Sequence, residues 1–270
     1  MNKFCMPFKR SKYYNADVKE FSIKYKNELE KLTDFLTFVN PEQRVNIKIE
    51  ALTQEDVDNF ILIKAKHPDT NFALVVRNID TLAQFQSQLL DAKIPYYVDC
   101  FCDSMSFFLG LVKLKVCDIL IGGDLGFMIK DISEAAHRNN INVRVCCNLA
   151  QSIICTEVAD DIVSFFVRPE DVEVYSQYVD TFEFFDPERD NYNLDVIYEV
   201  YAKDGKWSGR LSEIMIEFED TTNNFYLMPN FADRRLNCGK KCALGKCKLC
   251  YELNTLCATM EEKKIAIRPS

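Results

Sequence analysis

The sequence predicts an α/β fold, an irregular TIM-like (β/α)8 barrel carrying a small cysteine-rich C-terminal appendage. Three observations lead there. Short β-branched and aromatic runs alternate with longer stretches of helical periodicity from about residue 19 to residue 185. The strand runs come to about eight, the number that closes a parallel barrel. They recur every 18 to 26 residues or so, which fits compact βα units with short loops. An open doubly wound sheet is the alternative, but no Gly-x-Gly-x-x-Gly turn follows any strand, and Gly122-Gly123-Asp124 is too short to stand in for one.

In chain order the predicted strands are Glu20 to Lys24, Val45 to Ile49, Phe72 to Val76, Tyr96 to Asp99, Asp118 to Ile121, Asn142 to Cys146, Ile162 to Phe166 and Thr181 to Phe184. Helix starts lie between them. Thr53-Gln-Glu-Asp56 has an N-cap residue followed by acids, and Asn78 or Asp80 can cap the run Thr81 to Leu90. The last two strand intervals are the tightest, so irregularity is expected there. After Phe185 the pattern changes, which divides the chain into a barrel over residues 1–190 and a helical, cysteine-rich appendage over 191–270. Within the appendage Leu194 to Tyr201 reads as a helix, Asp204-Gly205-Lys206 as a turn, and Leu211 to Phe218 as an apolar helical run that packs on the barrel. The cysteine segment has too little apolar content to fold alone unless a metal supplies stability.

Composition narrows the function classes. At 48% hydrophobic and 27% charged residues over 270, the chain is globular. A net charge of -8 disfavours broad binding to DNA or any phosphate backbone. The N-terminus has no signal-peptide pattern and no 18-residue apolar run occurs, so no membrane partner is expected and the location is read as cytoplasmic, where thiols stay reduced. Only His67 and His137 are present, each near the end of a helix, where an imidazolium complements the helix dipole. A Cys-His hydrolytic dyad is therefore poorly supported.

Chemistry concentrates in two places. In a parallel barrel the loops after the strands build the active site, and polar residues stand at those positions throughout: Glu50, Arg77, Asp99, Asp124, Asn148, Arg168, Glu170 and Glu183. Of these, Arg77 and Arg168 are candidates to grip a carboxylate or phosphate, with Asn148, Glu170 and Glu183 orienting them or moving protons. Each also has a plainer reading as a cap or ion-pair partner, as Cys146 and Cys147 do as core residues. The second place is Cys238-Gly-Lys-Lys-Cys242-Ala-Leu-Gly-Lys-Cys247-Lys-Leu-Cys250. Four thiols in one Gly- and Lys-rich segment suit a four-iron four-sulfur cluster or, as the alternative, zinc; neighbouring lysines favour the thiolate that binds either. Lys240, Lys241, Lys246 and Lys248 there are solvated charges or an RNA contact.

The segment Asn142-Val-Arg-Val-Cys-Cys-Asn148, with Phe165-Phe-Val-Arg-Pro-Glu-Asp171, Tyr175 and Val179-Asp-Thr-Phe-Glu183, resembles the collagenase-like peptidase family, unassigned peptidase family thirty-two. The resemblance implies a TIM-like barrel and matches Arg168, Pro169 and Glu170 to the family's Arg-Pro-Glu turn. It also implies cysteine-held four-iron four-sulfur chemistry in oxygen-independent hydroxylation, acting on an RNA base or a small molecule, with a carboxylate as oxygen donor in the tRNA branch. The chain departs from the family after Phe182-Glu-Phe-Phe, where the usual glycine and cysteines are missing. Two alternatives stand beside the enzyme reading. One is a non-enzymatic binding or assembly protein with a protein partner and a structural zinc knot; the other is the peptidase of the family name.

Overall fold

The structure is a computed structural model and describes residues 3–8, 18–25, 28–149, 165–185, 193–216 and 231–237. Nine strands form one sheet: β1 (Phe4–Pro7), β2 (Glu20–Lys24), β3 (Arg44–Ile49), β4 (Phe72–Val76), β5 (Tyr96–Val98), β6 (Phe101–Cys102), β7 (Asp118–Ile121), β8 (Asn142–Cys146) and β9 (Thr181–Glu183). Their order is β5-β4-β3-β2-β1-β9-β8-β7-β6, and every pairing is parallel. The two edge strands are consecutive in the chain, separated only by Asp99 and Cys100, so the sheet has to curl round until its edges meet. Beside that seam the Cys117 N–H donates to the Tyr96 carbonyl at 2.8 Å. The ladder is nevertheless interrupted, and the sheet is a curled, barrel-like surface without continuous closure.

Helices α1 (Leu29–Phe38), α2 (Gln54–Lys66), α3 (Ile79–Asp91), α4 (Met105–Lys113) and α5 (Ile129–Arg138) flank it. The starts of α2, α3 and α4 are fixed by side chains that accept otherwise unpaired backbone N–H groups. Thr53 and Asp56 form a reciprocal capping box on α2, Asn78 accepts from Asp80 and Thr81 at the start of α3, and Ser104 accepts from Phe107 on α4. His67 closes α2 and His137 lies in the last turn of α5, with Nε2 2.7 Å from the Asp180 carboxylate.

The strand predictions need correction in three places, one of them the unpredicted short strand Phe101–Cys102. Phe4–Pro7 is a strand, and it lies between β2 and β9. The run Ile162 to Phe166 is not inserted in the sheet, because β8 pairs directly with β9. Residues 162–164 lie outside the described residues, while Phe165, Phe166 and Val167 are wholly buried. A β-branched and aromatic run reports burial, and the N-terminal strand joins the sheet at a different place, between β2 and β9.

Residues 193–216 and 231–237 pack into the same core. A short helix α6 (Val172–Tyr175) precedes β9, and α7 (Leu194–Glu199) continues through a π turn over Val200–Asp204 to Gly205, whose φ of 59° is the left-handed region that favours glycine. Tyr198 meets Phe4 and Phe184 edge-on at centroid distances of 5.8 and 6.0 Å. The Tyr201 hydroxyl lies 3.0 Å from the Cys147 carbonyl and 2.8 Å from that of Val167. The predicted helix at Leu211 is a single 3-10 turn, Leu211–Glu213. Helix α8 (Phe231–Leu236) follows, with Ala232 and Leu236 buried.

Candidate functional site

Strand β3 reads Arg-Val-Asn-Ile-Lys-Ile, and its alternation separates two environments. Val45, Ile47 and Ile49 face the helices, while Arg44, Asn46 and Lys48 point into the space the sheet encloses. β2 contributes Glu20, β7 Asp118, β8 Arg144 and β9 Glu183 to the same space. Two contacts prove the direction, Arg144 with Glu20 and Arg44 with Asp118, since each joins strands that are not neighbours. Arg144 is fully buried; its Nη1 lies 2.7 Å from Glu20 and 3.4 Å from Asp118, and its Nε lies 3.2 Å from Glu183. Arg44 reaches Asp118 at 2.5 Å, and Asn46 donates to Glu20 at 2.9 Å. The Tyr97 ring lies below both guanidinium groups, 5.1 Å from Arg144 and 5.8 Å from Arg44.

At the C-terminal ends of the strands, Lys48 Nζ stands 3.2 Å from Asp99 and 3.2 Å from Glu183. At the opposite end Lys3 pairs with Glu20. Alternating charges thus run through the barrel as Lys3, Glu20, Arg144, Glu183, Lys48 and Asp99. Charges so deeply buried persist only because each meets its opposite. Burial works to raise the Glu20 pKa, yet Arg144, Arg44 and Lys3 outweigh it and hold the carboxyl below its usual range. For Glu183 the same contest, against Lys48 and Arg144, also ends below the usual value. Burial works against the Lys48 ammonium, but Glu183 and Asp99 raise its pKa. The mouth therefore presents a permanent cation and at least one permanent carboxylate.

The sequence-predicted residues divide into groups. Glu183 and Asp99 meet through Lys48, a residue the sequence analysis did not single out. Arg77 and Glu50 form an exposed pair at 3.7 Å. Asn148 serves as a clamp: its Oδ1 accepts from the Phe185 N–H and its Nδ2 donates to the Phe185 carbonyl, both at 2.8 Å. Arg168 is buried and forks onto Asp171 at 2.6 and 2.7 Å, and Glu170 accepts from the Trp207 N–H at 2.8 Å. Asp124 lies in the 3-10 segment Gly123–Met128, its side chain outside the described ones. What the sequence analysis missed, above all Arg144, Arg44, Lys48 and Glu20, carried a signal in the alternate polar positions of Glu20-x-Ser22 and Arg44-x-Asn46-x-Lys48.

Cys146 and Cys147 are both buried. Burial pushes the Cys146 thiol up to about 12, with Glu183 adding to it, and pushes Cys147 well above its ordinary value. Neutral, enclosed thiols are poor nucleophiles. Cys238, Cys242, Cys247 and Cys250 lie outside the described residues. Among the described residues no group of three or more His, Cys, Asp or Glu side chains could hold a metal ion. The residue before Cys238, however, is placed: Asn237 accepts from Lys130 Nζ at 3.0 Å, and α8 contacts the segment that follows β7. Asn237 and α8 thus lie beside the start of α5, the helix that follows β7 and its 3-10 segment.

No family model matches this sequence, and no curated protein matches it. Among solved structures it is similar to the U32 peptidase Mk0906, at 11% identity and a TM-score of 0.40, covering 70% of this chain and 94% of that one. Among the described residues no helix is long and apolar enough to cross a membrane.

Proposed function

We propose that this chain is a cluster-holding barrel protein that modifies a small molecule or an RNA base at the C-terminal end of its strands. The observation that supports the reading is the bond between Asn237, the residue that precedes Cys238 in the chain, and Lys130 in the first turn of α5. Cys238, Cys242, Cys247 and Cys250 are the residues that would hold a four-iron four-sulfur cluster, and thiolates are the donors such a cluster requires. Bound there, the cluster would supply electron transfer. The chain's own part is electrostatic. An ammonium has three donors, and Lys48 directs two toward Asp99 and Glu183, leaving one for a substrate carboxylate. Glu183, held ionised, accepts hydrogen bonds and does not serve as an acid. Oxygen-independent hydroxylation is the reaction class that fits the sequence resemblance.

A second reading, a non-enzymatic assembly protein with a structural zinc knot, draws on a different observation. Asn148, Arg168 and Glu170 are all engaged by protein partners, as a scaffold would have them. The peptidase reading has the least behind it, given two buried, protonated thiols and a His137 committed to Asp180.

The test is an ultraviolet-visible spectrum with iron, sulfide and zinc analysis on protein purified without oxygen, beside a variant lacking Cys247 and Cys250. A broad band near ~400 nm with iron and sulfide, lost in the variant, is expected. One zinc and no colour would transfer the assignment to the structural knot.

A further inference from the structure

Several polar atoms inside the barrel meet no hydrogen-bond partner among the described residues. They include Arg144 Nη2, Asn46 Oδ1 and the hydroxyls of Tyr97 and Thr181, all on residues at most 1% exposed. Leaving such an atom dry costs more than a hydrogen bond ordinarily contributes, so buried polar groups are paired with protein or with ordered water. The four atoms converge on one guanidinium. Thr181 is the in-register neighbour of Arg144 across β8 and β9, and it shares the inward face of β9 with Glu183 two residues on. Asn46 Nδ2 and Arg144 Nη1 meet at the same oxygen, Glu20 Oε2, at 2.9 and 2.7 Å. That carboxylate only accepts, which fixes the Asn46 amide with its carbonyl oxygen as the unused atom. The Tyr97 ring lies 5.1 Å from the Arg144 guanidinium carbon.

We infer that the centre of the barrel is an internal water site, organised by Arg144 Nη2, Asn46 Oδ1 and the hydroxyls of Tyr97 and Thr181. The chemistry of these atoms selects the occupant. Arg144 Nη2 can only donate and Asn46 Oδ1 can only accept, while each hydroxyl does either. A molecule that satisfies them must therefore both accept and donate. A metal cation does not accept, and a simple anion such as chloride does not donate to Asn46. Charge leads to the same choice. Lys3, Arg44, Lys48 and Arg144 already face Glu20, Asp99, Asp118 and Glu183 along the barrel, base for acid, so an added ion would stand as an uncompensated buried charge. Water is neutral, and an internal water makes about three hydrogen bonds, which these atoms supply. The inference is independent of whether the chain holds a cluster.

Two variants and a crystal structure of the full chain test this. Tyr97→Phe and Thr181→Val each delete one hydroxyl with little change of volume. Removing a dry hydroxyl relieves a burden and lowers the unfolding equilibrium constant measured in urea. Removing one that is bonded to water forfeits that bond, so each variant is expected to raise the constant about fivefold. In wild-type crystals grown in sodium bromide, a water-sized density peak is expected within hydrogen-bond reach of Arg144 Nη2 and of Asn46 Oδ1 or the Thr181 hydroxyl, with no anomalous signal. An unfolding constant that fails to rise in either variant overturns the proposal, as does the lack of density beside Arg144 Nη2. An anomalous bromide peak at that position overturns it in favour of an anion.

Discussion

Replacing Arg144 with methionine probes the centre of the charged barrel. The guanidinium is fully buried and lies within 3.4 Å of three carboxylates, those of Glu20, Asp118 and Glu183. Methionine fills much of the volume but leaves those acids without their common partner. Losing one member of a buried ionic cluster costs about 3–5 kcal/mol. With a urea slope of about 3 kcal/mol/M for a chain of this size, the unfolding midpoint at pH 7 should fall by about 1 M. The pH dependence gives a sharper test. In the wild type Glu20 and Glu183 have lowered folded pKa values. Their contribution is thus complete above the unfolded value near ~4.3 and is lost as pH falls through the folded one. Without Arg144 both folded values move up, so the variant's acids take up protons at higher pH than the wild type's. The stability gap between the two proteins should therefore be widest at neutral pH and narrow toward pH ~4. Urea titrations followed by circular dichroism at several pH values measure it. A gap below about 1 kcal/mol at pH 7, or one that stays constant on acidification, would refute the reasoning.

Three other outcomes are expected. Asn148→Ala removes both hydrogen bonds to Phe185 and should cost about 2 kcal/mol, with faster amide exchange at Phe185 as the local readout. Lys48→Met leaves Asp99 without that cation and Glu183 with Arg144 alone. It should cost about 2 kcal/mol and raise the Glu183 pKa, visible as a carboxyl shift in an NMR titration. Cys146 and Cys147 should resist iodoacetamide at neutral pH in the folded protein and react once urea unfolds it; mass spectrometry of the alkylated peptides reports which occurs.

The alternating βα pattern was legible because buried parallel strands and capped helices leave local marks: the Thr53–Asp56 box and the Asn78 cap are where their residue types place them. β1 was not legible. Phe-Cys-Met-Pro is four residues long, ends in proline and lacks β-branched side chains, so only its docking between β2 and β9 makes it a strand. The charged interior escaped attention for a related reason. Looking for chemistry at the C-terminal strand ends finds Glu183 and Asp99, but Arg144 sits mid-strand and Arg44 opens its strand, and whether such a charge meets water or an opposite charge is decided by residues far along the chain. Arg168 illustrates the converse: its place in an Arg-Pro-Glu turn reads as a reactive cation, whereas Asp171 three residues later takes its fork.

The charge relay through the barrel also bears on how the chain reaches its folded state. Arg144 meets Glu20 across 124 residues of sequence, and Lys48 meets Glu183 across 135. Neither the N-terminal strands β1–β5 nor the C-terminal strands β6–β9 contain both partners of either pair, so a partly assembled sheet gains by keeping these groups hydrated. Desolvation becomes favourable only when the N-terminal strands and β8–β9 come together. The N-terminal strand, seated between β2 and β9, is then the stave whose arrival commits the whole ring, and folding should proceed as one late, cooperative step dominated by distant contacts.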